Sequence, residues 1–148
     1  MTGYLLDTNV LSAFAPGKQL VSPKIAAWFE RQTDRLFLSV VSVIEIEAGI
    51  RKLRRSGSYR RADDLRQWFG RVVGVYADRV IPLDTDIGRI AGALTDSVHA
   101  AGHGPTLADI AIAATAEALG LTVLTRNTWH FAPTGVPVLD PFQPSPPR

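Results

Sequence analysis

The 148 residues contain no cysteine. That excludes a disulfide framework, a thiolate zinc site and a cysteine nucleophile, and leaves oxygen or imidazole to hold any metal. Long apolar runs are missing too. None approaches the ~20 residues that cross a bilayer, and the first residues lack the basic and extended apolar regions of a secretory leader. The expectation is a cytoplasmic protein without membrane association. Excess charge of one sign is also scarce, because 16 Lys and Arg against 14 Asp and Glu leave a net +2, too little to mark a nucleic-acid binder by itself. There is no internal repeat and no domain-sized change in composition. The reading is therefore one domain over 1–140, long enough to bury a core. A tail over 141–148 follows, "PFQPSPPR", with four prolines and no periodicity.

Charge is nevertheless concentrated in one place. "RKLRRSGSYRR" carries Arg51, Lys52, Arg54, Arg55, Arg60 and Arg61 and no acid. It reads either as a solvated helix end and loop, or as a contact with a phosphate backbone or an acidic partner.

Short apolar runs alternate with helical patterns. "YLLD", "LFLS", "LTVLT" and, less distinctly, "RVIPL" around Val80 read as strands. Between them, "SPKIAAWFERQ" offers Ser22 as N-cap and Pro23 at the first helical position. "SVIEIEAGIRKLRR", "ADDLRQWFGRVVGVY" and "TDIGRIAGALTDSVHAAG" repeat apolar residues at helical spacing. "TLADIAIAATAEALG" runs from a Thr106 cap to a Gly120 stop. Strands alternating with helices predict an α/β fold around a mostly parallel sheet. Trp28 and Trp68 fall in apolar helical patterns and read as core. His99 and His103 are spaced i, i+4, but Gly102, Gly104 and Pro105 end the helix there, so they read as helix-terminal residues.

Three acids stand out because no cation accompanies them in sequence. Asp7 follows the first strand directly, at the edge where ligands gather in open parallel sheets; it is also placed to cap a helix beginning near Asn9. Glu45 has Val41, Ala48 and Gly49 as helical neighbours, and is also spaced from Ser42 as a capping box. Asp109 enters a nearly all-apolar helix, and is spaced from Thr106 as an N3 residue. Glu47, by contrast, has Arg51 four residues on and reads as an exposed ion pair. Thr125, Arg126 and Asn127 follow the last strand, either completing a polar site or forming a plain loop. Two bare carboxylates about 4 Å apart repel by roughly 4 kcal/mol at an effective dielectric near 20, so a cluster needs protons or a cation. Hard oxygen donors suit Mg²⁺ or Mn²⁺, which activate water and neutralise phosphoryl charge. This points to phosphodiester chemistry.

Four ordered segments, "LLDTNVLS", "LSVVSVIEIEAGI", "TLADIAIAATA" and "LTVLTRNTWHF", span almost the whole chain. In them the chain resembles the PIN-domain ribonucleases, and specifically the VapC toxins of bacterial toxin-antitoxin pairs. The resemblance implies a three-layer α/β/α sandwich with an acidic pocket that binds Mg²⁺ or Mn²⁺ and cleaves RNA, transfer or ribosomal. Asp7, Glu45 and Asp109 then correspond to the core acids, with Asp7 and Asp109 as direct metal ligands and Glu45 ligating through water or orienting it. Thr125 and Asn127 would support the site, and Asn9 would hold Asp7. Asn127 stands where many relatives carry a fourth acid, so a second metal position lacks that charge. His130 replaces an acid common before the phenylalanine. The resemblance further implies a homodimer silenced by a small VapB-like antitoxin, with the Glu45 to Arg55 helix and the basic loop after it as RNA and partner surface.

Two other classes compete. A haloacid dehalogenase-like phosphohydrolase needs a second acid two residues after the first, and this chain has Asn9 there. A PIN fold retained only as a binding module draws on Asn127 and is opposed by three intact acids.

Overall fold

The computed structural model describes residues 2–100 and 104–143. Its five strands are β1 (Tyr4–Leu6), β2 (Leu36–Ser39), β3 (Val80–Ile81), β4 (Thr122–Leu124) and β5 (Val138–Leu139). All pair in parallel, in the spatial order β3-β2-β1-β4-β5. Seven α-helices connect them: α1 (Thr8–Ser12), α2 (Pro23–Arg31), α3 (Val40–Arg55), α4 (Tyr59–Tyr76), α5 (Thr85–Ala100), α6 (Leu107–Leu119) and α7 (Thr128–Phe131).

Side chains alternate across a pleated strand, so each strand supplies two cores. Leu5, Phe37 and Val123 pack on one face with Ala111, Ile112, Ala113 and Ala116 of α6, Leu94 of α5 and Phe131 of α7. Leu6, Leu36, Leu38 and Leu124 pack on the other with Val10 and Leu11 of α1, Trp28 and Phe29 of α2, and Trp68 and Val72 of α4. Helix, sheet and helix make the three layers expected from the sequence. Helix α6 is nearly apolar all round because it is the one buried most completely, from Ile110 through Ala116.

Several local signals operate as read. Ser22 caps α2 with Pro23 in its first turn. Thr106 caps α6, and Gly120 ends it in the left-handed conformation at φ 65°. The fourth run forms only a two-residue strand, Val80–Ile81. Three features differ from the expectation. The fifth strand is too short to leave a pattern, and lies between Pro137 and Pro141. Helix α4 starts at Tyr59, so Arg60 and Arg61 lie in its first turn and the basic loop shrinks to Ser56–Ser58. Beyond β5, Pro141 is fully buried and Phe142 packs against the core that holds Phe14 and Phe29, so packing continues past residue 140. Residues 144–148 of the expected tail, and His103, lie outside the described residues; His99 sits in the last turn of α5.

Candidate functional site

The chain order reverses between β1 and β4: one half of the sheet runs outward through β2 and β3, the other through β5. A crevice opens at the carboxyl ends of strands at such a reversal. Asp7 and Thr125 are the residues that immediately follow β1 and β4. Their side chains meet there, the Thr125 hydroxyl donating to Asp7 Oδ2 at 2.8 Å in a buried hydrogen bond. The other carboxylate oxygen, Oδ1, accepts from the Thr8 backbone N–H at 2.8 Å, so Asp7 also caps α1. The capping and site readings of Asp7 therefore coexist.

Asp7 is 7% exposed. Burial raises its pKa above the usual carboxylate value of 3.8, the hydrogen bonds from Thr125 and Thr8 pull it down, and the charges of Asp109 and Glu45 push it up. Two acids distant in sequence thus contribute to the electrostatic environment of Asp7.

Each of the other two acids has its own anchor. Glu45 is not in a capping box, because α3 starts three residues earlier than that reading needs and Ser39 caps it through Val41 N–H at 3.0 Å. Ser42 instead lies within the helix, fully buried, 2.8 Å from the Thr8 hydroxyl. Thr8 Oγ1 donates to Glu45 Oε1 at 2.7 Å. A hydroxyl has one proton, so Ser42 donates to Thr8 and Thr8 to Glu45, a directed chain that holds an exposed carboxylate. Asp109 does form the capping box with Thr106: its N–H donates to Thr106 Oγ1 and its Oδ2 accepts from Thr106 N–H, both at 3.2 Å. Asp109 Oδ2 also lies 3.8 Å from His130 Nδ1. Thr8, Ser42 and His130 are the site residues that sequence reasoning did not assign. Ser42 is visible in sequence only as a spacing that suggests a cap, His130 only as a departure from the family pattern, and Thr8 only by its place beside Asp7.

Of the supporting residues, Asn9 is placed differently from the expectation, while Thr125 and Asn127 lie at Asp7 and Thr125. The Asn9 side chain accepts from Arg126 N–H at 3.3 Å, tying α1 to the chain after β4 rather than holding Asp7. Asn127 donates its backbone N–H to Thr125 Oγ1 at 3.0 Å. The basic run is divided: Arg51 pairs with Glu47 at 2.9 Å and Arg54 with Asp63 at 3.1 Å. Lys52, Arg55, Arg60 and Arg61 are exposed.

The donors around the rim are hard oxygens, and among the described residues no Lys or Arg forms an ion pair with Asp7, Glu45 or Asp109. No three acidic or histidine side chains among those residues already close a cage. Mg²⁺ is ordinarily held by one or two carboxylates with retained waters, so an open acidic rim without a cation fits such an ion.

A family model described as PIN domain matches residues 4–132. The chain is 35% identical to the plasmid stability protein StbB of Pseudomonas syringae pv. tomato, over 94% of this chain and 98% of that protein. It is 32% identical to the VapC ribonuclease Y4jK of Sinorhizobium fredii, over 95% and 99%. The crystal structure of FitAcB from Neisseria gonorrhoeae superposes with a TM-score of 0.81 at 28% identity, covering 95% of this chain and 99% of that one.

Proposed function

The chain belongs to the PIN-domain family, and from that premise we propose that it is a metal-dependent endoribonuclease, the toxin of a toxin-antitoxin pair. The observation that carries the chemistry is the buried Asp7 carboxylate, held by Thr125 and by the N–H of Thr8, whose own hydroxyl holds Glu45, with no protein cation paired to it among the described residues. Its relatives include a protein named a VapC ribonuclease that matches over nearly full length.

In this reading Asp7 and Asp109 would hold one Mg²⁺ or Mn²⁺, which when bound would supply a water of lowered pKa and positive charge toward the attacked phosphoryl group. Thr125 and the Thr8 N–H fix both oxygens of Asp7 and offset part of the cost that burial places on its charge. Glu45, aimed by Thr8, orients the attacking water and accepts its proton; in-line displacement then releases the 3′-oxygen. Asn127 steadies Thr125 through its backbone. The exposed Lys52, Arg55, Arg60 and Arg61 give sequence-blind phosphate attraction, with Arg51 and Arg54 adding less because each already faces an acid. A small VapB-like antitoxin would cover the same rim, and the working unit is a homodimer in the cytoplasm.

The test is incubation of the purified, antitoxin-free protein with total transfer RNA and ribosomal RNA in Mn²⁺ or Mg²⁺. EDTA and the Asp7→Asn variant serve as controls, and the cut ends are mapped. Discrete cuts lost in both controls are expected. Absence of cutting from metal-loaded protein on both RNA classes would leave a PIN fold that only binds.

A further inference from the structure

Thr8 and Asn9 are adjacent in α1 but border different cavities. Thr8 shares one with Glu45. Asn9 shares another, of about 350 Å³, with Ser12, Ala13, Lys18, Gln19 and Arg126. This second cavity has no acid in its lining and two cations, of which Lys18, like Ser12, also borders the cavity that holds Glu45. Neither Lys18 nor Arg126 is in an ion pair among the described residues, so both charges are available to a ligand.

The Arg126 side chain is also positioned, and the backbone of the loop before Lys18 is constrained. The Arg126 guanidinium lies 4.2 Å from the centroid of the Phe142 ring, a stacking that orients it while leaving its N–H edges free. Its backbone N–H is fixed by Asn9. Lys18 follows Gly17, which adopts φ +80°; a Cβ there would lie 2.9 Å from Arg61 Nη1. The loop carrying Lys18 is thereby drawn against the first turn of α4. Amide and hydroxyl groups from Asn9, Gln19 and Ser12 complete a lining suited to a phosphate. The cavity starts one residue from the acid site on both of its strands of chain, since Arg126 follows Thr125 and Asn9 follows Thr8.

We infer that this cavity is a backbone-phosphate subsite, in which Lys18 and Arg126 grip the RNA strand at a phosphate flanking the one that is cut. The inference rests on the nuclease reading for its substrate, but it can be tested apart from cleavage.

In the Asp7→Asn background, binding of a labelled single-stranded oligoribonucleotide of mixed sequence is followed by fluorescence anisotropy across a salt titration. Lys18→Gln and Lys18→Gln/Arg126→Gln are compared with Arg31→Gln. The last removes the same charge at the end of α2, ahead of β2 and so at the opposite edge of the sheet. Each cation removed from the cavity is expected to weaken binding roughly tenfold and to flatten the slope of log K against log salt by about 0.7. Arg31→Gln should change neither. On an oligomer of the same sequence with uncharged methylphosphonate linkages, the cavity variants should bind no worse than their parent. Lys18→Gln lies on an exposed loop and leaves the Arg126–Phe142 packing intact, so it reports without disturbing the fold. Unchanged affinity and slope, or an equal loss on both oligomers, overturns the subsite. Cleavage by the parent protein is scored separately. Cutting together with unaffected binding retains the nuclease and rejects the subsite, while phosphate-dependent loss without cutting does the reverse.

Discussion

Thr8→Val tests the claim that one hydroxyl positions Glu45. The substitution keeps the branched shape but removes the acceptor of Ser42 and the donor to Glu45. The bond to Glu45 is charge-assisted but exposed, so ~1 kcal/mol is reasonable for it. Ser42 is fully buried and loses its partner, at a cost of about 1 kcal/mol, held low because a helical serine can turn back to a carbonyl of its own helix. Together they predict a loss of about 2 kcal/mol, or roughly 4–8 °C in Tm for a domain of this size. A catalytic group freed to wander by an ångström costs on the order of 100-fold in rate. The expectation is therefore a large fall in kcat, little change in KM, and recovery of both Tm and kcat in Thr8→Ser. The assay is steady-state cleavage of a fluorogenic RNA, with Tm from calorimetry. Because Thr8 acts through Glu45, Thr8→Val added to Glu45→Ala should cost no further activity. Full activity in Thr8→Val, or a further loss in the double variant, would refute the reasoning.

Asp7→Asn and Asp109→Asn should each abolish cleavage while circular dichroism stays native. Glu47→Gln should alter activity little, since its partner Arg51 is 72% exposed. In metal-free protein the raised pKa of Asp7 sets a sign: below 3.8 the group is neutral folded and unfolded and costs nothing, and as pH rises through the higher folded value its ionisation destabilises the fold. The Tm of wild type relative to Asp7→Asn should therefore fall as pH rises from about 4, and Mg²⁺ or Mn²⁺ should restore it in wild type alone; a difference that stays flat with rising pH would contradict the assignment. Ile112→Ala, at a fully buried position between α6 and the sheet, should cost about 2–5 kcal/mol by denaturant titration.

What could be read in advance divides along physical lines. Tyr4–Leu6, Leu36–Ser39 and Thr122–Leu124 lie in continuous apolar runs because a central parallel strand is covered on both faces, and such runs are visible in one dimension. Val138–Leu139 is two residues at an edge, below the length at which periodicity exists. Asp7 and Asp109 stand out as candidates because an acid at the end of a buried element is anomalous. Glu45 was legible as an acid without a cation, but its anchor was not: the Ser42 spacing imitates a capping box, and only the earlier start of α3 shows that Ser42 faces Thr8 instead. Lys18 and Arg126 are isolated cations in loops. Nothing in the sequence brings them together, since the cavity they share is formed by the pairing of β1 with β4.

That pairing also sets a clock. β1 adjoins β4 in register from Tyr4 with Thr122 to Leu6 with Leu124, and Asp7 reaches its hydroxyl partner across 118 residues of chain. At about 5–20 residues per second of synthesis, roughly 6–24 s separate the birth of the first acid from that of the threonine that holds it. A nascent chain still short of β4 has a central strand with an open side and no assembled site. A chain that ends before residue 122 therefore lacks both the strand that pairs with this side of β1 and the hydroxyl that holds Asp7 Oδ2.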